Sequence, residues 1–136
     1  MLKLASLCES AFELCKKATS IFNKPIQILG YNKFSPHVQG AVFDVGFCFL
    51  ILLKPTLTSF SIQVAILHEI SHICFGHLVS VTIQDLENGS GENYFTPSQE
   101  EEAQKFACKL LNVMMNIPEL SPPNPPECAR FEELFK

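Results

Sequence analysis

Residues Ser59–Leu78 read SFSIQVAILHEISHICFGHL and carry three of the chain's four histidines in an otherwise apolar run. The run lacks proline and offers Ser59 or Ser61 as an N-cap, so it predicts a helix of about four to five turns. The buried face of a helix is a poor place for histidine and glutamate unless a partner satisfies their polar atoms. The run therefore predicts a helix that carries a functional site.

The histidine pattern within this helix is His-Glu-x-x-His, beginning at His68. At about 100° per residue, His68 and His72 lie about 40° and one turn apart, so both imidazoles can reach one metal ion. Glu69 lies about 100° round the helix from His68, where its carboxylate can contact a water molecule on that metal. The spacing predicts two metal ligands and one general base.

A third protein ligand is expected from elsewhere, because a catalytic zinc site uses three protein ligands and one water. If the helix continued to His77, this residue would lie about 180° from His68, so His77 is expected to face the helix dipole or to support a ligand. In a downstream helix, Glu100 lies about 60° from the centre of the apolar face and Glu102 about 100° on the other side. Glu100 is the predicted ligand and Glu102 the alternative. This set suits zinc, and it can also hold manganese.

Hydrophobic periodicity in the rest of the chain predicts helices around a small twisted sheet of about three strands, hence an α+β fold. One amphipathic helix is expected over Leu2–Ile21. A second is expected over Thr96–Met115, because Thr96, with Pro97 and Gln99 behind it, has the sequence of a capping box. The predicted strands are Ile26–Leu29, Gly40–Phe43 and Phe47–Leu53.

The connecting segments give weaker signals. Phe47–Leu53 is apolar on both faces, which predicts an inner strand of a hairpin; with an open edge it could pair with an extended peptide. Residues 79–83 are expected to end a helix or form a strand, and residues 85–94 to form a loop beside the site. His37, beside a proline, is expected to be a solvated loop residue. Five prolines between residues 118 and 126 predict a stiff extended segment before a short terminal helix.

Composition limits the possible partners. The chain has 136 residues, enough for one domain, and a formal net charge of −4, which argues against direct binding to nucleic acid. The most apolar segment, Ala41–Leu53, is interrupted by Asp44 and Gly46 and is too short to cross a bilayer. The amino terminus lacks the long apolar run of a signal peptide. We therefore expect no membrane association.

The chain contains six cysteines with no C-x-x-C spacing. Most of them lie among apolar residues of predicted helices, which favours buried free thiols over a disulfide framework. Free thiols are typical of a reducing compartment, so a cytoplasmic location is expected. The cysteines are Cys8, Cys15, Cys48, Cys74, Cys108 and Cys128.

Two motifs together, H-E-I-S-H-I-C-F-G-H-L at 68–78 and E-E-E-A-Q-K-F-A-C-K-L-L at 100–111, resemble the ImmA/IrrE family of small gluzincin-like metallopeptidases. The family pattern is H-E-x-x-H-x-x-x-x-H followed by E-x-x-A-(N or D)-x-F-A-x-x-L-L, and the resemblance covers roughly Phe47–Met115. It implies a compact zincin-like domain with zinc held by His68, His72 and Glu100. Gln104 stands where the family usually has Asn or Asp, a departure expected to weaken the support of a ligand histidine.

The resemblance also implies an activity and a substrate. The family implies a regulatory protease, typically one that cleaves a DNA-binding repressor, with Glu69 as the base. We expect residues 1–117 to form a minimal metallopeptidase domain and residues 118–136 a proline-rich extension. Tyr94 or His77 is a candidate to stabilise the oxyanion. The alternative hypothesis is a zinc-stabilised interaction module that binds and sequesters a regulator without cutting it.

Overall fold

The fold is built around one buried helix that lies between a small sheet and a second long helix. A computed structural model describes residues 1–87 and 95–115. Its elements, in chain order, are α1 (Leu2–Ala5), α2 (Ala11–Phe22), β1 (Ile26–Gly30), β2 (Gly40–Asp44), β3 (Phe49–Leu53), α3 (Ser59–Cys74), α4 (Ile83–Glu87) and α5 (Pro97–Met114). The predicted α+β class is confirmed.

Within residues 1–87 and 95–115 the sheet has three strands, in the order β1-β3-β2. Strand β3 pairs in parallel with β1, from Ile26 opposite Phe49 to Gly30 opposite Leu53, and antiparallel with β2. The prediction of an inner strand is thus confirmed. Both sides of β3 are paired, so the open edge that an extended peptide would need is not present on this strand. The strand also starts at Phe49 rather than Phe47, because residues 45–48 form the turn of the hairpin, in which the Val45 N–H donates to the Cys48 carbonyl at 3.1 Å.

Helix α3 packs against the sheet on one side and against α5 on the other. All ten residues from Val64 to Ile73 are buried, including both motif histidines and the glutamate between them. The N-cap is Thr58, whose hydroxyl accepts from the Ser61 N–H, so the predicted cap at Ser59 or Ser61 is wrong by one residue or more. Ser61 instead occupies the third helical position, and the Thr58 hydroxyl donates to the Ser61 hydroxyl at 3.0 Å.

The predicted single helix over Leu2–Ile21 is divided in two. Helix α1 ends at Ala5, and Ser10 begins α2 because its side chain accepts from the Glu13 N–H. The Glu13 carboxylate reaches back to the Glu9 N–H at 3.0 Å. These reciprocal bonds satisfy backbone donors at a helix start, which makes a new start at Ser10 more favourable than a continuous helix.

The far face of the sheet, opposite α3, is partly covered by the chain after α3. Ala41, Phe43 and Leu52 form a small apolar cluster with residues that include Val81 and Leu86. Ser80 forms a single bridge to Asp44, and α4 follows, so the expected loop at 85–94 is wrong for residues 85–87. The helix forms there because Thr82 and Asp85 exchange side-chain to backbone hydrogen bonds of 2.9 and 3.0 Å.

Helix α5 begins as the sequence predicts. Thr96 and Gln99 form a complete capping box, and Pro97 stands in the first turn. The cysteines of residues 1–87 and 95–115 are all free thiols, four of them buried, in agreement with the prediction. Within the same ranges no helix has the length and apolarity needed to cross a membrane. The expected loop at 88–94, the extension at 118–136 and Cys128 lie outside the described residues.

Candidate metal centre

The candidate site lies where the second half of α3 faces the first turn of α5. His68 and His72 are 2% and 0% exposed, so both rings are taken out of water by the helix packing. The capping box at Thr96 fixes where α5 starts, and this start places Glu100 in the first turn, opposite the histidines. Two interhelical contacts, from His68 and from His72 to Glu100, thus bring the site together.

Three donor atoms converge in this space. His68 Nε2 and His72 Nε2 lie 3.2 Å apart. Glu100 lies against both nitrogens, with Oε2 3.2 Å from His68 and Oε1 3.0 Å from His72. The ligand atoms that the three residues can offer all lie within 4.8 Å of one another, so this group could hold a metal ion.

The spacing fits a small divalent ion. With metal–ligand distances of about 2.0–2.1 Å, two corners of a tetrahedral zinc site are about 3.3 Å apart. The observed separations of 3.0 to 3.2 Å are close to that value. The chemistry of the donors fits as well, because two imidazoles and one carboxylate are a common ligand set of catalytic zinc.

The electrostatics of the donors suit a cation. Partial burial works to raise the pKa of Glu100, but hydrogen bonds to His68 and His72 outweigh it and lower the pKa to about 2. Burial lowers the pKa of His72 below its usual value, despite the opposing effect of Glu100. The site therefore offers an ionised carboxylate and a neutral imidazole, the forms in which these side chains bind metals.

Glu69 lies on the sheet side of α3. Its side chain is buried, and Oε2 has no hydrogen-bond partner among the residues described. Burial raises the pKa of Glu69 to about 7; the electrostatic interaction with His68 opposes this rise and that with Glu100 adds to it. Gly40 of strand β2 lies next to this carboxyl, and a Cβ added at Gly40 would lie 3.6 Å from Oε1.

His77 does not point away from the site, because α3 does not continue to it. The helix ends at Cys74, and Gly76 adopts a left-handed conformation with φ of 67°. The Gly76 N–H donates to Ile73 and the His77 N–H to His72, both at 3.1 Å, which is a Schellman motif. The motif folds His77 back over α3, so that its Nδ1 lies 2.9 Å from His72 Nδ1.

Glu102 is not close to the three donors but to His77. Its Oε1 lies 2.7 Å from His77 Nε2. Of the two glutamates considered for the third position, Glu100 reaches the histidines of α3, and Glu102 contacts the residue that contacts one of them. The sequence signal for this arrangement is Gly76, because glycine directly after a helical pattern is typical of a helix end.

Phe95 is a site residue that sequence reasoning missed. Its ring stacks on His72, with the centroids 3.7 Å apart and the planes at 15°. Nothing in a single phenylalanine before an N-cap distinguishes it from a core residue.

Gln104 is half-buried four residues after Glu100, on the same side of α5, and His37 is exposed in a loop. Tyr94 lies outside the described residues.

Comparisons of the chain with protein-family models, with curated proteins and with solved structures found no match. Membership of the ImmA/IrrE family, and the zincin-like fold that goes with it, therefore stay predictions from the two motifs. The geometry of the candidate site stands on the chain's own residues.

Proposed function

We propose that this chain is a cytoplasmic zinc-dependent endopeptidase of the ImmA/IrrE type, and that its substrate is a regulatory protein such as a transcriptional repressor. The observation that carries the proposal is the convergence of His68, His72 and Glu100 beside the buried carboxyl of Glu69. Hydrolysis by this class of enzyme requires three protein ligands and a base close to them. The four residues supply those groups.

The number of donors favours a catalytic over a structural role. Structural zinc sites are closed by four protein ligands, whereas catalytic sites keep one position for water or substrate. In the ranges that the structure describes, the group contains three donors: His68, His72 and Glu100. A buried carboxyl beside the site would also have no purpose in a closed structural site.

The residues divide the chemistry between them. Bound zinc supplies Lewis-acid catalysis, which lowers the pKa of water and polarises a peptide carbonyl. Glu69 accepts a proton from the attacking water, at the oxygen that has no other partner in the described chain, and delivers it to the leaving amine nitrogen. His68, His72 and Glu100 hold the ion.

The experiment that tests the function is proteolysis of a proteome-derived peptide library by zinc-loaded protein, with new peptide ends identified by mass spectrometry. We expect wild type to cut at a restricted set of sequences and Glu69→Gln to bind zinc without cutting. Glu101→Gln is the matched control, because Glu101 contacts Lys105 rather than the site and should leave cleavage unchanged.

Two results would contradict the proposal. Full cleavage by Glu69→Gln would remove the role given to Glu69. Zinc binding by wild type without any cleavage would favour the alternative, a zinc-stabilised module that sequesters a regulator.

A further inference from the structure

A chain of hydrogen bonds leads from the candidate metal centre to the surface. It runs from His72 Nδ1 to His77 Nδ1 over 2.9 Å, and from His77 Nε2 to Glu102 Oε1 over 2.7 Å. The three members belong to α3, to the turn after it and to α5. The His77 side chain is only 6% exposed, whereas that of Glu102 is 51% exposed. The chain thus connects a fully buried imidazole with a solvated carboxylate.

The chemistry of the members fixes the direction of these bonds once a metal is bound. A histidine binds a metal through a bare ring nitrogen, so with the metal at Nε2 a neutral His72 carries its proton on Nδ1. This Nδ1–H donates to His77 Nδ1, and His77 then carries its proton on Nε2 and donates it to the Glu102 carboxylate. Without a metal, the ionised Glu100 carboxylate 3.0 Å from His72 Nε2 favours a proton on that nitrogen instead.

We propose that Glu102 and His77 are positioning residues that hold His72 with its proton on Nδ1 and its Nε2 lone pair directed at the metal position. The inference rests on the proposed metal site and adds two residues that act through a ligand. Outer hydrogen bonds of this kind orient a ligand histidine and fix its tautomer, and their loss typically lowers metal affinity by roughly 10–100-fold.

The opposite arrangement gives a different and measurable state. A doubly protonated His77 would donate from both nitrogens, so His72 Nδ1 would accept. His72 would then carry its proton on Nε2, where it would donate to Glu100 and could not bind a metal. Nitrogen-15 NMR of the histidine side chains in zinc-loaded protein distinguishes the two states. We expect a proton on Nδ1 of His72, and a proton on Nε2 but none on Nδ1 of His77. A His77 that carries a proton on Nδ1 in zinc-loaded protein overturns the proposal.

Zinc affinity, measured by competition with a chromophoric chelator, provides the second test. We expect Glu102→Ala and His77→Leu each to weaken zinc binding by roughly 10–100-fold. Glu102→Gln keeps an acceptor oxygen and should recover part of the loss. Glu101→Ala removes an equal charge one residue away, from an exposed pair with Lys105, and should change nothing.

The double variant Glu102→Ala with His77→Leu shows whether the residues act in series. We expect it to bind zinc no more weakly than the worse single variant, because breaking either link already frees His72. Additive losses, or equal effects of Glu101→Ala and Glu102→Ala, would overturn the proposal. If wild type binds no zinc, the metal site itself is refuted, whereas zinc binding that Glu102→Ala and His77→Leu leave unchanged refutes the positioning role alone.

Discussion

The ring of Phe95 lies flat on the ring of His72, 3.7 Å away between centroids. His72 is thereby fixed on three sides: by Phe95 on its face, by His77 at Nδ1 and by Glu100 near Nε2. Phe95 immediately precedes the N-cap of α5, so the helix that supplies Glu100 also places the aromatic ring. The orientation of His72 depends on α5 through two separate contacts.

The stacking gives a first prediction. Phe95→Leu retains apolar volume but removes the flat ring, and it should lower the free energy of unfolding of metal-free protein by about 0.5–1.5 kcal/mol. Urea unfolding measures the change. Phe60→Leu is the control, since Phe60 is 54% exposed and should change stability by less than about 0.5 kcal/mol. Equal effects of the two changes would show that the stacking contributes nothing.

The second prediction concerns the metal. Wild type should bind one zinc per chain and gain stability by mass action, about 2.7 kcal/mol when free zinc exceeds the dissociation constant 100-fold. Thermal unfolding with and without a chelator measures the gain. Glu100→Ala should abolish it, because Glu100 is the anionic donor against both histidines. A zinc-dependent gain that survives in Glu100→Ala would mean that the ligand set is different.

Gly40 provides a third prediction, because it lies in β2 where that strand packs closely against β3, beside Glu69. A Cβ at this position would come within 3.1 Å of the Leu52 carbonyl and of a Leu53 methyl group, besides approaching Glu69. Gly40→Ala should therefore destabilise the protein by about 1–3 kcal/mol, as overpacking usually does.

Gly30→Ala is the matched control for Gly40→Ala. Gly30 is also in an edge strand, but its added Cβ would meet only a Pro55 side-chain atom at 3.6 Å, an ordinary contact. Its stability should be unchanged or slightly raised, because alanine loses less backbone entropy than glycine on folding. Urea unfolding of both variants measures the difference, and a Gly40→Ala variant as stable as Gly30→Ala would refute close packing of Gly40 against Leu52 and Leu53.

Asp44 gives a fourth prediction, on pH. Partial burial works to raise its pKa, but hydrogen bonds from Lys24 and the Gly46 N–H outweigh it and hold the pKa below 3.8. The pKa of Asp44 is lower in the folded state than in the unfolded state. The ionised carboxylate therefore stabilises the folded protein above pH 3.8, and this contribution is lost as the pH falls through the folded-state pKa.

Asp44→Asn tests this sign. At pH 7 it should lower the free energy of unfolding by about 1 kcal/mol, the usual contribution of a partly buried, hydrogen-bonded ion pair. The difference in free energy of unfolding from wild type should vanish as the pH falls below the folded-state pKa of the Asp44 carboxyl. Urea unfolding at several pH values measures it, and a difference that stays constant at low pH would show that the Asp44 charge contributes nothing.

A fifth prediction concerns the thiols. Burial raises the pKa of Cys15 to about 12 and that of Cys74 to about 11, so both are protonated and poorly nucleophilic at neutral pH. In a Cys128→Ser background, native protein should react slowly with a thiol reagent. All five remaining thiols should react only in denaturant, matching the five free cysteines described. Rapid reaction of native protein would contradict the buried positions.

Local signals in the sequence were sufficient for parts of this structure. The start of α5 follows from Thr96, Pro97 and Gln99, because a capping box is made by residues within one turn of each other. The approach of His68 to His72 follows from helical geometry alone. The break at Ser10 and the helix end at Gly76 have local signals too. The apolar periodicity continues past both residues, however, and by itself predicts longer helices.

Other features could not be derived from the sequence. The contact between Glu102 and His77 joins residues that are 25 positions apart and depends on how α5 packs beside α3. Phe95 over His72 depends on the same packing, and no local pattern specifies it. The inner position of β3 was predictable from its two apolar faces, whereas its parallel pairing with β1 is a matter of topology.

Helix α5 is lined by small residues on its buried side: Ala103 and Ala107 are fully buried, and α3 is the main element against which α5 packs. Small side chains let two helices approach closely, since the distance between helix axes depends on the residues at the contact. His68 and His72 lie on one helix and Glu100 on the other, so the distances between these three candidate donors depend on how closely the helices approach. We therefore expect a bulkier residue at Ala103 to move the donors apart and to favour a larger ion.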